Sequence, residues 1–111
     1  MLKKAHRLST REFALVVERG REAYSPFFSL RFVPADSFKL SSTAPKKVWK
    51  TAVARNRFRR RIYAAVADVV YAEKPKPVFA ALIGKRSIDD IEPAVLVRML
   101  AELFVKAGLT R

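Results

Sequence analysis

Phe58, Ile62, Ala65, Val66, Val69 and Val70 recur at helical spacing. At roughly 100° per residue they share one face, which predicts a helix starting near Thr51 or Ala52. It should end before Lys74-Pro75-Lys76-Pro77, which reads as a linker. Upstream, Phe28, Leu30 and Phe32 alternate with Ser29 and Arg31, the pattern of a half-buried strand ending near Pro34. A strand over Arg21 to Ser25 precedes it, and another over Lys39 to Ala44, rich in Ser and Thr, follows the turn at Ala35-Asp36-Ser37. Val78 to Ile83 is a continuous apolar run closed by Gly84, as expected of a buried central strand.

The ends of the chain read as helices. Ser9-Thr10-Arg11-Glu12 has the form of a capping box. Phe13, Val16 and Val17 then fall on one face, and Gly20 is a natural stop. Asp89 with Glu92 offers a second capping box, Pro93 suits a first turn, and an apolar stripe from Val95 to Phe104 runs toward Gly108. The order is helix, two or three strands, helix, strand, helix. Its economical packing is an α+β two-layer sandwich, a mixed sheet whose crossover helix is basic. No repeat interrupts the 111 residues, so one domain over 1–111 is expected.

Composition narrows the setting. Half the residues are hydrophobic, which argues against disorder. The absence of cysteine excludes disulfides and thiolate metal sites, and suits a reducing compartment. No apolar run is long enough to span a bilayer, and the start, from Met1 to Phe13, turns polar where a secretory signal would turn apolar. These features lead us to expect a soluble cytoplasmic protein.

Charge changes the picture most. The net charge is +13, and residues 39–63 hold nine of the 23 bases and no acid. A local excess of this kind implies a polyanionic partner. The bland alternative is a solvated face laced with ion pairs, but no acid stands between Lys46 and Ala67 to pair with Arg55, Arg57, Arg59, Arg60 or Arg61. These cations also crowd the helix end where the macrodipole favours anions. Phosphate is the partner that offsets both costs. On the helical wheel Arg57, Arg60 and Arg61 are read as outward, Asn56, Arg59 and Tyr63 as one flank, and Arg55 as lying at the sheet edge. A membrane-surface helix competes, but its apolar side looks built to cover a sheet. Trp49, the single Trp, either stacks on a base or packs under the helix, packing being the commoner fate.

No catalytic constellation appears. His6 is the only histidine; Asp89, Asp90 and Glu92 are better explained by capping than by metal; Gly20, Gly84 and Gly108 form no phosphate loop. No catalytic or metal-ligating residue is assigned.

Lys46-Lys47, Ala52-Val53 and then Arg55-Asn56-Arg57-Phe58-Arg59-Arg60 closely resemble the signature of bacterial ribonuclease P protein subunits. Arg7-Leu8, Glu12-Phe13 and Arg19-Gly20 extend the resemblance to the start of the chain. The resemblance implies a protein cofactor of a catalytic RNA that removes the 5′ leader of precursor tRNA by Mg²⁺-dependent hydrolysis, making the protein one subunit of an endonuclease. It implies that Lys46, Lys47, Lys50, Arg55, Asn56, Arg57, Arg60 and Arg61 bind the catalytic RNA. Phe13, Val17, Ser29, Arg31, Arg59 and Tyr63 are implied to hold the single-stranded leader. Mg²⁺ is expected to be held mainly by RNA and not tightly by the protein. The partners implied are the catalytic RNA and precursor tRNA, with one protein per ribonucleoprotein and no membrane. The sequence departs from the family pattern at Val17, Arg31 and Tyr63, and in Val48-Trp49-Lys50, which replaces a glycine-bearing loop. The alternative reading is a ribosomal or general RNA-binding module with no role in cleavage.

Overall fold

Ser9 opens the first helix, α1 (Thr10–Arg19), through reciprocal bonds: the Glu12 N–H donates to Ser9 Oγ at 3.2 Å and the Ser9 N–H to Glu12 Oε1 at 2.8 Å. The computed structural model describes residues 6–111, so the first five residues of the polar N-terminal stretch lie outside it. Gly20 ends α1, but with φ −70° and not in a left-handed conformation. Its role is close approach, since a Cβ there would stand 3.2 Å from Arg31 Cβ and closer still to the Val16 carbonyl.

Three strands follow, β1 (Arg21–Tyr24), β2 (Phe28–Pro34) and β3 (Lys39–Thr43), then α2 (Ala52–Glu73), β4 (Val78–Gly84) and α3 (Pro93–Lys106). The sheet order is β1-β2-β4-β3, with β3 parallel to β4 and the other pairs antiparallel. A parallel neighbour requires a crossover, and α2 is that crossover. The α+β class, the mixed sheet and the basic crossover helix are as the pattern predicts, and of the two or three strands expected before α2 all three are present.

Strand alternation sorts the two faces. Ala23, Leu30, Leu40, Ala80 and Leu82 share one core with Phe58, Ile62, Val66 and Val69 of α2 and Leu96, Leu100, Leu103 and Phe104 of α3. α1 lies across the other face. Val16, its one buried side chain, sits outside that core. Glu12 meets Lys39 at 3.1 Å and Gly20 abuts Arg31, both on the side of their strands opposite Leu40 and Leu30. Phe13 is only partly buried and Val17 is 41% exposed, so α1 covers a narrow strip and leaves sheet face open beside it.

The second capping box does not form. Glu92 is itself the cap residue of α3 and makes no side-chain cap bond, with Pro93 at the start of the helix. Asp89 is instead held in the preceding turn, its N–H donating to Ser87 Oγ at 3.2 Å. Buried Ile88 anchors that turn and fixes where α3 begins.

Candidate nucleic-acid interface

The N-terminal end of α2 is built for cations to stand clear of the core. Thr51 Oγ1 accepts the Ala54 N–H at 3.1 Å, and the first turn contains no acid. Before it, Trp49 turns inward, its ring 4.3 Å from that of Phe58. Packing is therefore the fate of Trp49. Gly84 makes this possible, since a Cβ there would come 2.5 Å from the Trp49 ring. With Trp49 as the inward anchor, Lys46, Lys47 and Lys50 are all exposed on the loop.

The five arginines divide. Arg60 is exposed, and its side chain makes no hydrogen bond or ion pair among the described residues. Arg57 is also exposed, with only Asp89 at 4.0 Å, the outer limit of an ion pair. Arg59 donates to Asn56 Oδ1, which ties those two side chains together on one flank. Arg55 is half-buried and donates to the Trp49 carbonyl at 3.0 Å, so the predicted position at the sheet edge is a brace between loop and helix.

Arg61 corrects the wheel reading. Its guanidinium donates to the carbonyls of Ile88, at 2.6 Å, and Ile91. About 60° from Phe58 around the helix, it faces the α3 side and not open solvent, beside Ala64, Ala65 and Pro93. It fixes the turn before α3 and is not free to grip RNA.

The residues assigned to the leader also divide. Phe13 lines a groove of about 250 Å³ with Leu8, Ser9, Thr10, Ser41 and Thr43. Ser29 and Arg31 stand on the same sheet face; the Ser29 hydroxyl donates to Glu22 Oε2 at 3.2 Å, and Arg31 Nη1 lies 3.9 Å from Glu22. The Tyr24 hydroxyl donates to Glu22 at 2.7 Å. That bond, ahead of Ser29 and Arg31, holds the Glu22 carboxyl below its ordinary pKa and pushes the Tyr24 phenol up. Glu12 is likewise lowered, first by the Ser9 N–H and then by Lys39.

Tyr63 is a correction. It is 9% exposed, its hydroxyl accepts the Ser42 N–H at 3.1 Å, and the Arg7 guanidinium lies 4.4 Å above its ring. A ring so enclosed seals the edge of β3 and is not open for stacking on a base. Arg7 stands where the flank of α2 meets the groove, as do Ser41 and Thr43 along β3; the sequence reading gave none of the three a site role. The strand alternation opposite Leu40 was the signal for Ser41 and Thr43, and the Arg7-Leu8 step of the family resemblance was the signal for Arg7.

The sequence model of the Ribonuclease P family, described as Ribonuclease P, matches residues 2–108. The chain belongs to that family. It is 38% identical over 113 residues to the ribonuclease P protein component of Gluconacetobacter diazotrophicus, covering 98% of this chain and 97% of that one. It is 30% identical to that of Synechococcus elongatus, covering 97% and 94%. In fold it is similar to the RNase P protein of Staphylococcus aureus, with a TM-score of 0.79 at 20% identity over 97% and 100% of the two chains. The Thermotoga maritima RNase P protein in complex with 1-(4-fluorophenyl)-2-thiourea gives 0.75 at 18% identity, over 88% and 96%.

For a ribonuclease P protein, the donor set available to a metal matters. Among the described residues no three His, Cys, Asp or Glu side chains come together to hold an ion. Asp89, Asp90 and Glu92 are exposed, and Asp89 faces Arg57. The apolar side of α2 is covered by the sheet, which removes the face a membrane-surface helix needs. Among the described residues no helix is long and apolar enough to cross a membrane.

Proposed function

We propose that this chain is the protein subunit of a ribonuclease P ribonucleoprotein in the cytoplasm, one copy per catalytic RNA, assisting removal of the 5′ leader from precursor tRNA. One observation carries the reading: a family member whose acid-free stretch leaves Lys46, Lys47, Lys50, Arg57 and Arg60 exposed around one helix end. Cations set out this way bind phosphate irrespective of sequence, and a folded RNA is read through shape and backbone. The leader lies along the groove beside Phe13 and the open sheet face near Val17, held by stacking and charge that tolerate any base. RNA phosphates supply the hard oxygen ligands that Mg²⁺ prefers, and the protein contributes no catalytic group.

The test is precursor-tRNA cleavage by a bacterial catalytic RNA at low Mg²⁺, with and without this protein. The proposal expects cleavage to rise on adding the protein, and no cleavage by nuclease-free protein alone. RNA binding with no gain in cleavage would favour a general RNA-binding module instead.

A further inference from the structure

At the opposite end of the sheet from the basic helix start, the largest of the surface clefts described, of about 760 Å³, opens between the end of β2, the β4 entry and the tail of α3. Phe32, Val33 and Pro34 form part of its floor, and its charged residues are Arg19, Arg21 and Lys76. No carboxylate lines it. An adjoining cleft of about 500 Å³ shares Lys76, Gly108 and Leu109 and adds Lys74 and Arg111 against one acid, Glu73. Together they bring five cations from separate parts of the chain into one channel. All five are exposed, and none has a side-chain hydrogen bond or ion pair among the described residues.

Lys74 adds a second, independent observation. It ends α2 with φ 47°, the one positive φ outside glycine among the described residues. Pro75 forbids a further helical residue, and the left-handed region suits glycine far better than lysine. The chain places a cation where the backbone asks for none, and that cation lines the channel.

We propose that this channel is a second contact for the RNA phosphodiester backbone, distinct from the α2 face and roughly 20 Å from it, the length of a strand of seven residues such as β4. A groove with five cations against one acidic side chain, over an apolar floor, tracks a backbone. The inference rests on the reading of the chain as an RNA-binding subunit. The competing role is structural: bases near the C-terminal end of α3 also complement its dipole.

The test compares Arg21→Ala/Lys74→Gly/Lys76→Ala with Arg57→Ala/Arg60→Ala and with the charge-keeping Arg21→Lys/Lys76→Arg. Affinity is measured against salt in two arms, for the catalytic RNA alone and for precursor tRNA with the assembled ribonucleoprotein. The triple variant should lower the log–log salt slope by roughly 2–3, from about 0.7–0.9 per lost contact, and the charge-keeping variant should not. The arm in which the loss appears identifies the RNA that occupies the channel. If the triple variant binds as the parent in both arms while Arg57→Ala/Arg60→Ala loses affinity, the channel is overturned and the proposed function stands. If neither loses affinity, both fall. Should the triple variant fail to melt cooperatively, Lys74→Gly alone decides. Relief of the left-handed lysine keeps it folded, and an unchanged slope overturns the proposal.

Discussion

Arg60 and Arg61 are neighbours of the same type in opposite settings, one exposed and one bonded to backbone carbonyls, set by about 100° of helix rotation. Arg61 satisfies two carbonyls of the turn before α3, so Arg61→Ala should cost about 1.5–3 kcal/mol of stability, the range for charge-assisted bonds. Arg60→Ala should leave stability within about 0.5 kcal/mol and lower the RNA salt slope by roughly 0.7–0.9. Urea melts and salt titrations of both variants test this. If Arg61→Ala melts like the parent but loses RNA affinity, the clamp is misread. Gly84→Ala should be costly too, about 1–3 kcal/mol, because the new methyl meets the Trp49 and Phe58 rings; an unchanged urea midpoint would show the aromatic pair yields easily. These contacts explain why the site was only partly legible in the sequence. Composition and spacing located the basic end of α2. They could not tell a free arginine from one whose carbonyl partners lie about 30 residues further along.

At the scale of elements, local signals worked where the pattern within the element itself decides the outcome. The Ser9–Glu12 box closes within four residues, and the alternation of β2 and the apolar run of β4 record which faces each strand buries although their ladder partners are distant; each appears as read. The Asp89–Glu92 box failed because burial of Ile88 and the Arg61 clamp shape that turn. Tyr63 failed for a related reason: an aromatic on a charged flank is closed off by a β3 amide and by Arg7, both distant in sequence. The box that does form carries a pH signature. Its folded pKa is lowered from 4.5, so Glu12 contributes stability above that unfolded value and loses it as pH falls through the folded one. Glu22 has the same sign. Urea midpoints should therefore decline as pH drops below about 4.5, and Glu12→Gln should flatten part of that decline. An unaltered acid profile in Glu12→Gln would mean that the Ser9 and Lys39 contacts contribute nothing in solution.

For the whole molecule, salt should act with opposite signs on the free chain and on its complex with RNA. A net charge of +13, with an acid-free helix start, makes the folded state repel itself. Raising NaCl from about 0.05 to 0.5 M shortens the Debye length from roughly 14 to 4 Å and screens that repulsion. The free protein should then melt at a higher temperature. Its affinity for RNA should fall over the same range, as counterion release predicts. At low salt, RNA itself takes over the screening. Free RNA at about 100 times Kd should add about 2.7 kcal/mol to the folded state, which is roughly 10 °C for a chain of this size. Calorimetry of the protein across salt, with and without the catalytic RNA, separates the two effects. If the free chain melts at the same or a lower temperature as salt rises, its cations are not in self-repulsive tension. Their crowding at one helix end would then carry no energetic cost for a phosphate partner to offset.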